Sequence, residues 1–356
     1  MHQGSVLRHA ILGAGGVGLA LGAALARGGH DVTLVMRESS RARYRGMIDV
    51  HSALRGDHRV AARGVDRLDE PVDVLWVTVK APALRAALDR VGPRPAPHSV
   101  VPLLNGLDHP RLLRDRFGPR QLVGAIRIEA ERTAPGKVTW NSLFAEVSLA
   151  ADEGGPTESD STSDLAGDGR HPDTGPADGP AAPLAPLQDA RPDPRLTALA
   201  EDLTDAGIGC VQERDPASVL WHKLVLLLPL ALATTAADGP LGVVRRRPAL
   251  LSLLRDTARE ACAVAAAEGV AVDERTLLHT LDTLPGRTDT SLHRDVAAGI
   301  RPTELAALTE PVLRRARDRH TPVPAIAELT RLVTERELRA QLPAQHGATY
   351  RKGETS

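Results

Sequence analysis

An apolar run, Ala10-Ile11-Leu12, leads directly into Gly13-Ala14-Gly15-Gly16-Val17-Gly18. An Ala/Leu-rich helical pattern from Leu19 to Ala26 comes next, stops at Gly28-Gly29, and gives way to a second apolar run, Asp31 to Val35. Strand, glycine turn, helix and strand in this order form the opening of a dinucleotide-binding βαβ unit. The first glycine permits the tight turn, the second lets backbone approach a pyrophosphate, and the third lets the helix pack closely on the strand. The helix N-terminus then offers free N–H groups to the anion. Gly13, Gly15, Gly16, Val17 and Gly18 are therefore candidate cofactor-binding residues. An ordinary glycine turn is the plainer alternative, and it would require none of the flanking pattern.

The end of the second strand discriminates between cofactors. A site that prefers NAD usually carries Asp or Glu there, accepting from the ribose 2′-hydroxyl. This chain has Val35-Met36-Arg37. A guanidinium offers a planar fork of donors suited to a 2′-phosphate, so the predicted cofactor is NADP, bound as NADPH. The competing reading is a solvated surface arginine in a chain with 44 Lys and Arg. Glu38 adds another, since it could pair with Arg37 or take the ribose itself.

With 356 residues there is room for two domains. A formal net charge of −1 supplies no broad basic field, which argues against nucleic acid as a partner. Two cysteines, Cys210 and Cys262, argue against a disulfide framework or a cysteine-rich metal site, and no metal is expected. The first apolar run is already the nucleotide-binding strand, so no signal peptide is expected. The longest apolar run, Leu224 to Ala237, contains Pro229 and is shorter than a membrane span requires; it reads as a buried helix. A soluble, cytoplasmic protein with a small-molecule substrate and no membrane partner is the expectation, and homodimerisation is left open. Aromatic residues are only 2% of the chain, so its cores must be built from Leu, Val and Ala.

Strands and helices alternate in the first part, which predicts an α/β fold with a doubly wound parallel sheet. Strands are expected at His9–Leu12, Asp31–Val35, Val72–Val79, Ser99–Leu104 and Leu122–Ile128. Lys137–Trp140 and Glu146–Leu149 read as a closing hairpin. From about Asp152 to Pro194 the chain is rich in Asp, Gly, Pro, Ser and Thr, and such a segment cannot bury enough surface to offset its ordering entropy. Leu196, Leu199 and Leu203 then keep helical spacing up to Gly207, Ile208 to Gln212 suggests one last strand, and everything from Pro216 onward is helical in character. The expected division is a nucleotide-binding domain over 1–150, a disordered insertion over 151–194, a connecting helix and strand over 195–214, a helical domain over 215–340 and a polar tail over 341–356. Pro248 fits a first helical position and Gly269 a C-terminal cap. Further helices are expected near Thr303 and Pro324, the former kinked or broken at Pro311.

Open α/β sheets bind ligands outside the carboxyl ends of their strands. Four successive strand ends carry the glycine turn, Arg37, Lys80 and Asn105-Gly106, a set suited to a cofactor edge. Lys80 and Asn105 taken singly read equally well as loop residues. In the helical part, Trp221-His222-Lys223-Leu224 sets a lysine in an apolar helix face, where lost hydration favours its neutral form and suits it as a general acid. The alternative has Lys223 snorkelling to water, and His222 is a rival proton donor. A third cluster, Ser291-Leu292-His293-Arg294-Asp295, precedes Arg301-Pro302-Thr303-Glu304. Here Thr303 could cap the helix that Glu304 opens. Ser291 could be only a cap and Asp295 only an arginine partner.

Taken in order, Gly13 to Gly18, Leu34-Val35-Met36-Arg37, Thr78-Val79-Lys80-Ala81, Leu104-Asn105-Gly106, Leu220-Trp221-His222-Lys223-Leu224 and Ser291…Asp295…Arg301-Pro302-Thr303-Glu304 resemble the ketopantoate reductase (2-dehydropantoate 2-reductase) family. The resemblance covers nearly the whole chain apart from the Asp152–Pro194 segment and the tail. It implies an N-terminal Rossmann-type NADP-binding domain, an all-helical C-terminal domain, and a substrate cleft between them. The implied reaction is NADPH-dependent reduction of a 2-keto acid, in the family ketopantoate to pantoate in pantothenate biosynthesis. By the same resemblance Lys223 matches the lysine that protonates the ketone oxygen, and Glu304 the acid that positions lysine and substrate. Asn105 matches the amide between nicotinamide and substrate, and Ser291, with Asp295, the substrate-binding group. Arg37 and Lys80 match cations near the cofactor. The chain departs from the family in having Leu227 and Ala231 where two asparagines come after the lysine, which leaves the pocket more apolar. A related oxidoreductase acting on a more apolar carbonyl or imine, and a protein that binds NADP without turnover, are the alternatives.

Overall fold

The computed structural model describes residues 6–93, 96–152 and 193–340. β1 (Arg8–Leu12), α1 (Gly16–Arg27) and β2 (Asp31–Val35) form the expected opening, and a short α2 (Glu38–Arg41) succeeds them. Three strands that carry no apolar run come next: β3 (Met47–His51), β4 (His58–Ala61) and β5 (Arg63–Val65). After them the chain forms β6 (Val74–Val77), α3 (Leu84–Leu88), β7 (Ser99–Pro102), α4 (His109–Phe117), β8 (Leu122–Arg127), β9 (Ala130–Ala134), β10 (Lys137–Trp140) and β11 (Glu146–Ala151). β6 and β7 are shorter than predicted, because the chain leaves the sheet before Thr78 and Leu103 to form the loops that carry Lys80 and Asn105.

The five-stranded sheet has the order β5-β2-β1-β6-β7, and all its pairs are parallel. β6 and β7 are buried along their whole length, as parallel strands covered on both faces must be. Winding reverses between β1 and β6, so the ligand crevice belongs at their carboxyl ends.

The expected hairpin of β10 with β11 does not form. β10 pairs antiparallel with β9 and parallel with β3 in a four-stranded sheet, β4-β3-β10-β9. β11 pairs antiparallel with β8 in a three-stranded sheet, where β12 (Gly209–Gln212) lies parallel on its other side. The tight turn falls one connection earlier, at Pro135-Gly136, where Gly136 has φ +75°. Between β10 and β11, Ser142 accepts from Glu129 N–H and donates to the Phe144 carbonyl, which turns the chain outward.

Residues at both ends of the predicted insertion are ordered. Ala151 closes β11, Asp152 accepts from Arg114 Nε at 2.8 Å, and Asp193 caps α5 (Pro194–Asp205) by accepting from Arg195 N–H at 2.9 Å. The rest of that segment, 153–192, and the predicted tail lie outside the described residues. Leu196, Leu199 and Leu203 are the buried face of α5, as their spacing requires.

The remainder is helical: α6 (Pro216–Ala237), α7 (Leu241–Arg245), α8 (Pro248–Ala267), α9 (Glu274–Thr283), α10 (Ser291–Ala297), α11 (Leu305–Asp318) and α12 (Pro324–Arg339). Pro248 opens α8, and Gly269 beyond it has φ +85°. α6 is longer than its apolar run suggested. By length and composition it could cross a membrane, yet 67% of its most apolar window is buried within the fold, against α8, α10 and α12. Pro311 lies inside α11 without ending it. A proline there forfeits the hydrogen bond to the Ala307 carbonyl, a cost of about 3 kcal/mol. Pro311 is itself buried, and the freed carbonyl is the one that faces Gly106 (φ +95°), where a Cβ would lie 2.5 Å from it. The helix thus persists through packing, and only glycine fits opposite.

Two buried histidines give the fold an acid limit. Burial pushes both His9 and His109 down to about 3 from an ordinary 6.5. Between those values the unfolded chain binds more protons than the folded one, so stability falls as pH falls. Each group contributes a slope of about 1.4 kcal/mol per pH unit. Thermal unfolding across this range should show the melting temperature dropping steeply below about pH 6; a flat profile would mean that these rings are solvated.

Candidate active site

At the carboxyl end of β1 the backbone itself forms the cradle. Gly13 has φ +116°, and Thr78 Oγ1 donates to its carbonyl at 2.7 Å, locking the turn onto the strand beyond β6. A Cβ on Gly18 would lie 2.0 Å from the Gly13 carbonyl, so helix and strand meet with no space for a side chain. A Cβ on Gly15 would meet nothing within 4 Å. That position opens on the crevice, and the α1 N-terminus has no side-chain cap. Free N–H groups beside open space fit a pyrophosphate. Gly16 has a role the motif did not disclose: the Ala130 carbonyl of β9 would lie 2.1 Å from its Cβ, so the small sheet packs directly on the turn. Val17, the next residue, is partly buried on the first turn of α1.

Arg37 stands at the N-terminus of α2 and is exposed. Glu38 makes no ion pair with it. Instead, burial together with the charges of Arg37 and Arg43 pulls the Arg132 guanidinium below its ordinary range. Three cations, Arg37 and Arg43 on the two sides of α2 and Arg132 of β9, therefore share one field, and among the described residues Arg37 and Arg132 have no carboxylate partner. Arg43 and Arg132 were not legible in the sequence, because an arginine in a turn or a polar strand carries no signal of its own.

The other predicted residues converge from opposite ends of the chain. Lys80 Nζ donates to Asp295 Oδ1 at 2.6 Å, across 215 positions of sequence. A residue expected near the cofactor and one expected near the substrate therefore hold each other. Asn105 Nδ2 donates to Glu304 Oε2 at 3.1 Å, and Ala81 N–H to Glu304 Oε1 at 3.4 Å. Glu304, only 5% exposed, is the capping residue of α11, a place expected for Thr303. Thr303 instead donates to Glu337 and accepts from Leu305 N–H at 3.3 Å. Ser291 is the first residue of α10 and leaves the cap to Thr290, which accepts from His293 N–H. It sits one turn before Asp295, on the same helix face.

Lys223 lies on α6. Its burial lowers the ammonium to about 8, and the Glu304 charge opposes that shift. His222 turns the other way: it is exposed, with Nε2 3.4 Å from the Ala271 carbonyl and Nδ1 3.9 Å from Glu213. His222 is thus exposed where Lys223 is half-buried. Leu227, one turn on, is partly buried, and Ala231 lies wholly in the helical core.

Profiles of the ketopantoate reductase PanE/ApbA family match residues 9–153 and, for its C-terminal part, residues 217–337. The chain belongs to the ketopantoate reductase family. A 2-dehydropantoate 2-reductase of Halobacterium salinarum is 27% identical over 337 residues, covering 92% of this chain and 98% of that protein. Among solved structures, a PanE/ApbA family ketopantoate reductase from Ralstonia eutropha shares the fold with a TM-score of 0.73 at 22% identity, covering 94% of this chain and 100% of its own. A D-mandelate dehydrogenase solved with NADH and anilino(oxo)acetate has a TM-score of 0.74 at 18% identity, with coverage of 94% and 100%. Family and fold thus agree on a nicotinamide-dependent reductase.

Among the described residues, one trio has metal-like spacing: His9, His30 and Asp202, whose ligand atoms lie within 4.8 Å of one another. Trp76 Nε1–H donates to His9 Nδ1 at 3.0 Å, and Leu7 N–H to His30 Nδ1 at 3.4 Å. In neutral rings both Nε2 atoms then carry protons and offer no lone pair to a metal; His9 Nε2 has no hydrogen-bond partner, and His30 Nε2 lies 3.8 Å from Asp202 Oδ1. The trio lies at the amino end of β1, remote from the glycine turn.

Proposed function

We propose that the protein is an NADPH-dependent reductase of a 2-keto acid, 2-dehydropantoate 2-reductase-like, with Lys223 as general acid. The observation that carries this reading is a half-buried lysine brought toward neutrality by lost hydration and acted on by the charge of Glu304, which is itself tied to Asn105 at the cofactor edge. When bound, the nicotinamide supplies the hydride that goes to the carbonyl carbon. Lys223 as ammonium polarises the carbonyl oxygen, stabilises its developing negative charge and delivers the proton. Glu304 opposes the lysine's loss of charge and, through its bond to Asn105, fixes the amide between the two ligands. Gly13, Gly15, Gly16, Val17 and Gly18 take the pyrophosphate, and Lys80 orients Asp295, which with Ser291 faces the substrate. The reading includes a cytoplasmic enzyme and leaves a homodimer open.

NADP is favoured by the Arg37, Arg43 and Arg132 field. Arg37→Asp is expected to cut the preference for NADPH over NADH by about ten- to a hundredfold, the loss of one charge-assisted contact. An unchanged ratio of kcat/KM values would mean that Arg37 does not read the 2′-phosphate.

The substrate has a second reading, a more apolar 2-keto acid or an imine, favoured by Leu227 and Ala231. A site without amide donors loses its grip on a substrate hydroxyl. Comparing kcat/KM for ketopantoate with a series of apolar 2-keto acids decides between them. Higher values for ketopantoate sustain the first reading, and higher values for the apolar acids sustain the second.

A further inference from the structure

The loop between β7 and α4 is fastened to α11 at three points. Asn105 bonds Glu304, Gly106 lies against the Ala307 carbonyl, and Asp108 accepts from Arg314 at 2.7 Å and Arg315 at 3.2 Å. The loop ends in His109, the first residue of α4. His109 is only 6% exposed, and neither ring nitrogen has a hydrogen-bond partner. Leaving both nitrogens of a buried imidazole unsatisfied is costly, and native folds rarely do so without a reason. His109 and Leu107 line one cavity of about 1430 Å³ together with Pro216, Ala217 and Leu220 from the start of α6. Lys223 lies one turn beyond Leu220, and among the described residues its ammonium has no hydrogen-bond partner either. A buried lone pair without a donor thus lies on the element adjoining α6, where the half-buried Lys223 ammonium has no acceptor among the described residues.

Two carboxylates act on the pair, and the cavity beside His109 is lined by further charged residues, among them Arg85, Asp115, Asp152 and Glu310. Glu304 faces Lys223 from the cap of α11, and Asp108 lies beside His109 with its charge taken up by Arg314 and Arg315. On α6 itself, His222 points away toward Glu213.

We propose that His109 is a positioning residue for Lys223: its unprotonated ring nitrogen accepts one ammonium N–H, leaving the other two for Glu304 and the substrate oxygen. This rests on Lys223 being the general acid. Burial, and after it the Lys223 charge, pushes the His109 ring down to about 3, so it stays neutral and keeps its lone pair throughout the working range. A neutral acceptor orients the ammonium and favours its charged form without adding a second carboxylate.

The chain has four lysines, Lys80, Lys137, Lys223 and Lys352, so the Lys223 signal is separable by NMR with isotope-labelled lysine and assignable by Lys223→Met. We expect His109→Leu to lower the Lys223 pKa by about one unit, in the free enzyme or with saturating NADPH, and to move the alkaline limb of kcat with it. His109→Gln, whose amide oxygen accepts, should restore both. An unmoved Lys223 titration in His109→Leu overturns the proposal. Should that variant not fold, the imidazole nitrogen shifts of His109 in wild type and Lys223→Met replace it: identical shifts overturn the proposal, and a loss of hydrogen bonding in the variant sustains it. Full turnover by Lys223→Met would instead defeat the general-acid reading, and the lysine titration would still report on His109.

Discussion

Lys223→Met is expected to lower kcat by about a hundred- to a thousandfold, the usual loss for one preorganised donor to a developing oxyanion. Affinity for NADPH should survive, because the proposed cofactor cradle consists of the glycine turn with Arg37 and Arg132, none of them on α6. Methionine keeps the apolar stem packed in the α6 face and removes only the ammonium, so stability should change little. Lys80 is not free to substitute, since its ammonium is held by Asp295. The same assignment fixes the sign of the pH profile. The acid form of a group at about 8 is lost as pH rises through that value, so kcat for reduction should be level below it and fall above. A wild-type profile that rises through this range would place the proton donor elsewhere.

Gly18→Ala is expected to cost about 3 kcal/mol or more of stability and to abolish dinucleotide binding. The added methyl would meet the Gly13 carbonyl at 2.0 Å and Thr78 Oγ1 at 2.6 Å. Backbone cannot retreat there, because Gly13 N–H is bonded to the Val35 carbonyl and its own carbonyl to Thr78. Relief must come from lifting α1 off β1, which opens a core formed by Leu19, Leu21, Ile11 and Leu34. Gly15→Ala is the contrasting control. Its methyl would project into open space, so the fold should be retained while affinity for the cofactor falls. Chemical denaturation of both variants, with NADPH titrations, separates the two effects. Equal stability of Gly18→Ala and wild type would refute the packing described for the turn.

Residues at strand ends were legible in the sequence because a parallel sheet declares itself by apolar runs, and the residues just past those runs share one edge. β1, β2, β6 and β7 all obeyed this, and with them the placement of Gly13, Arg37, Lys80 and Asn105. β4 and β9 did not, because their exposed, polar residues form strands only through partners distant in sequence. That hid Arg132, and it hid the reason Gly16 must be glycine. The joining of Lys80 to Asp295 and of Asn105 to Glu304 spans some two hundred residues, and no local periodicity carries such information. The choice between His222 and Lys223 was likewise a matter of helix phase, which only the packing of α6 against its neighbours could set. Pro311 does not end α11 for a related reason: its local cost is real, and tertiary packing exceeds it.

The most direct test of the account is the rate of NADPH oxidation with ketopantoate and with apolar 2-keto acids, wild type beside Lys223→Met at matched cofactor saturation. We expect sustained turnover of at least one 2-keto acid by the wild-type enzyme and its near-complete loss in the variant. NADPH binding without oxidation by any of these acids, or equal rates in the two proteins, would contradict it.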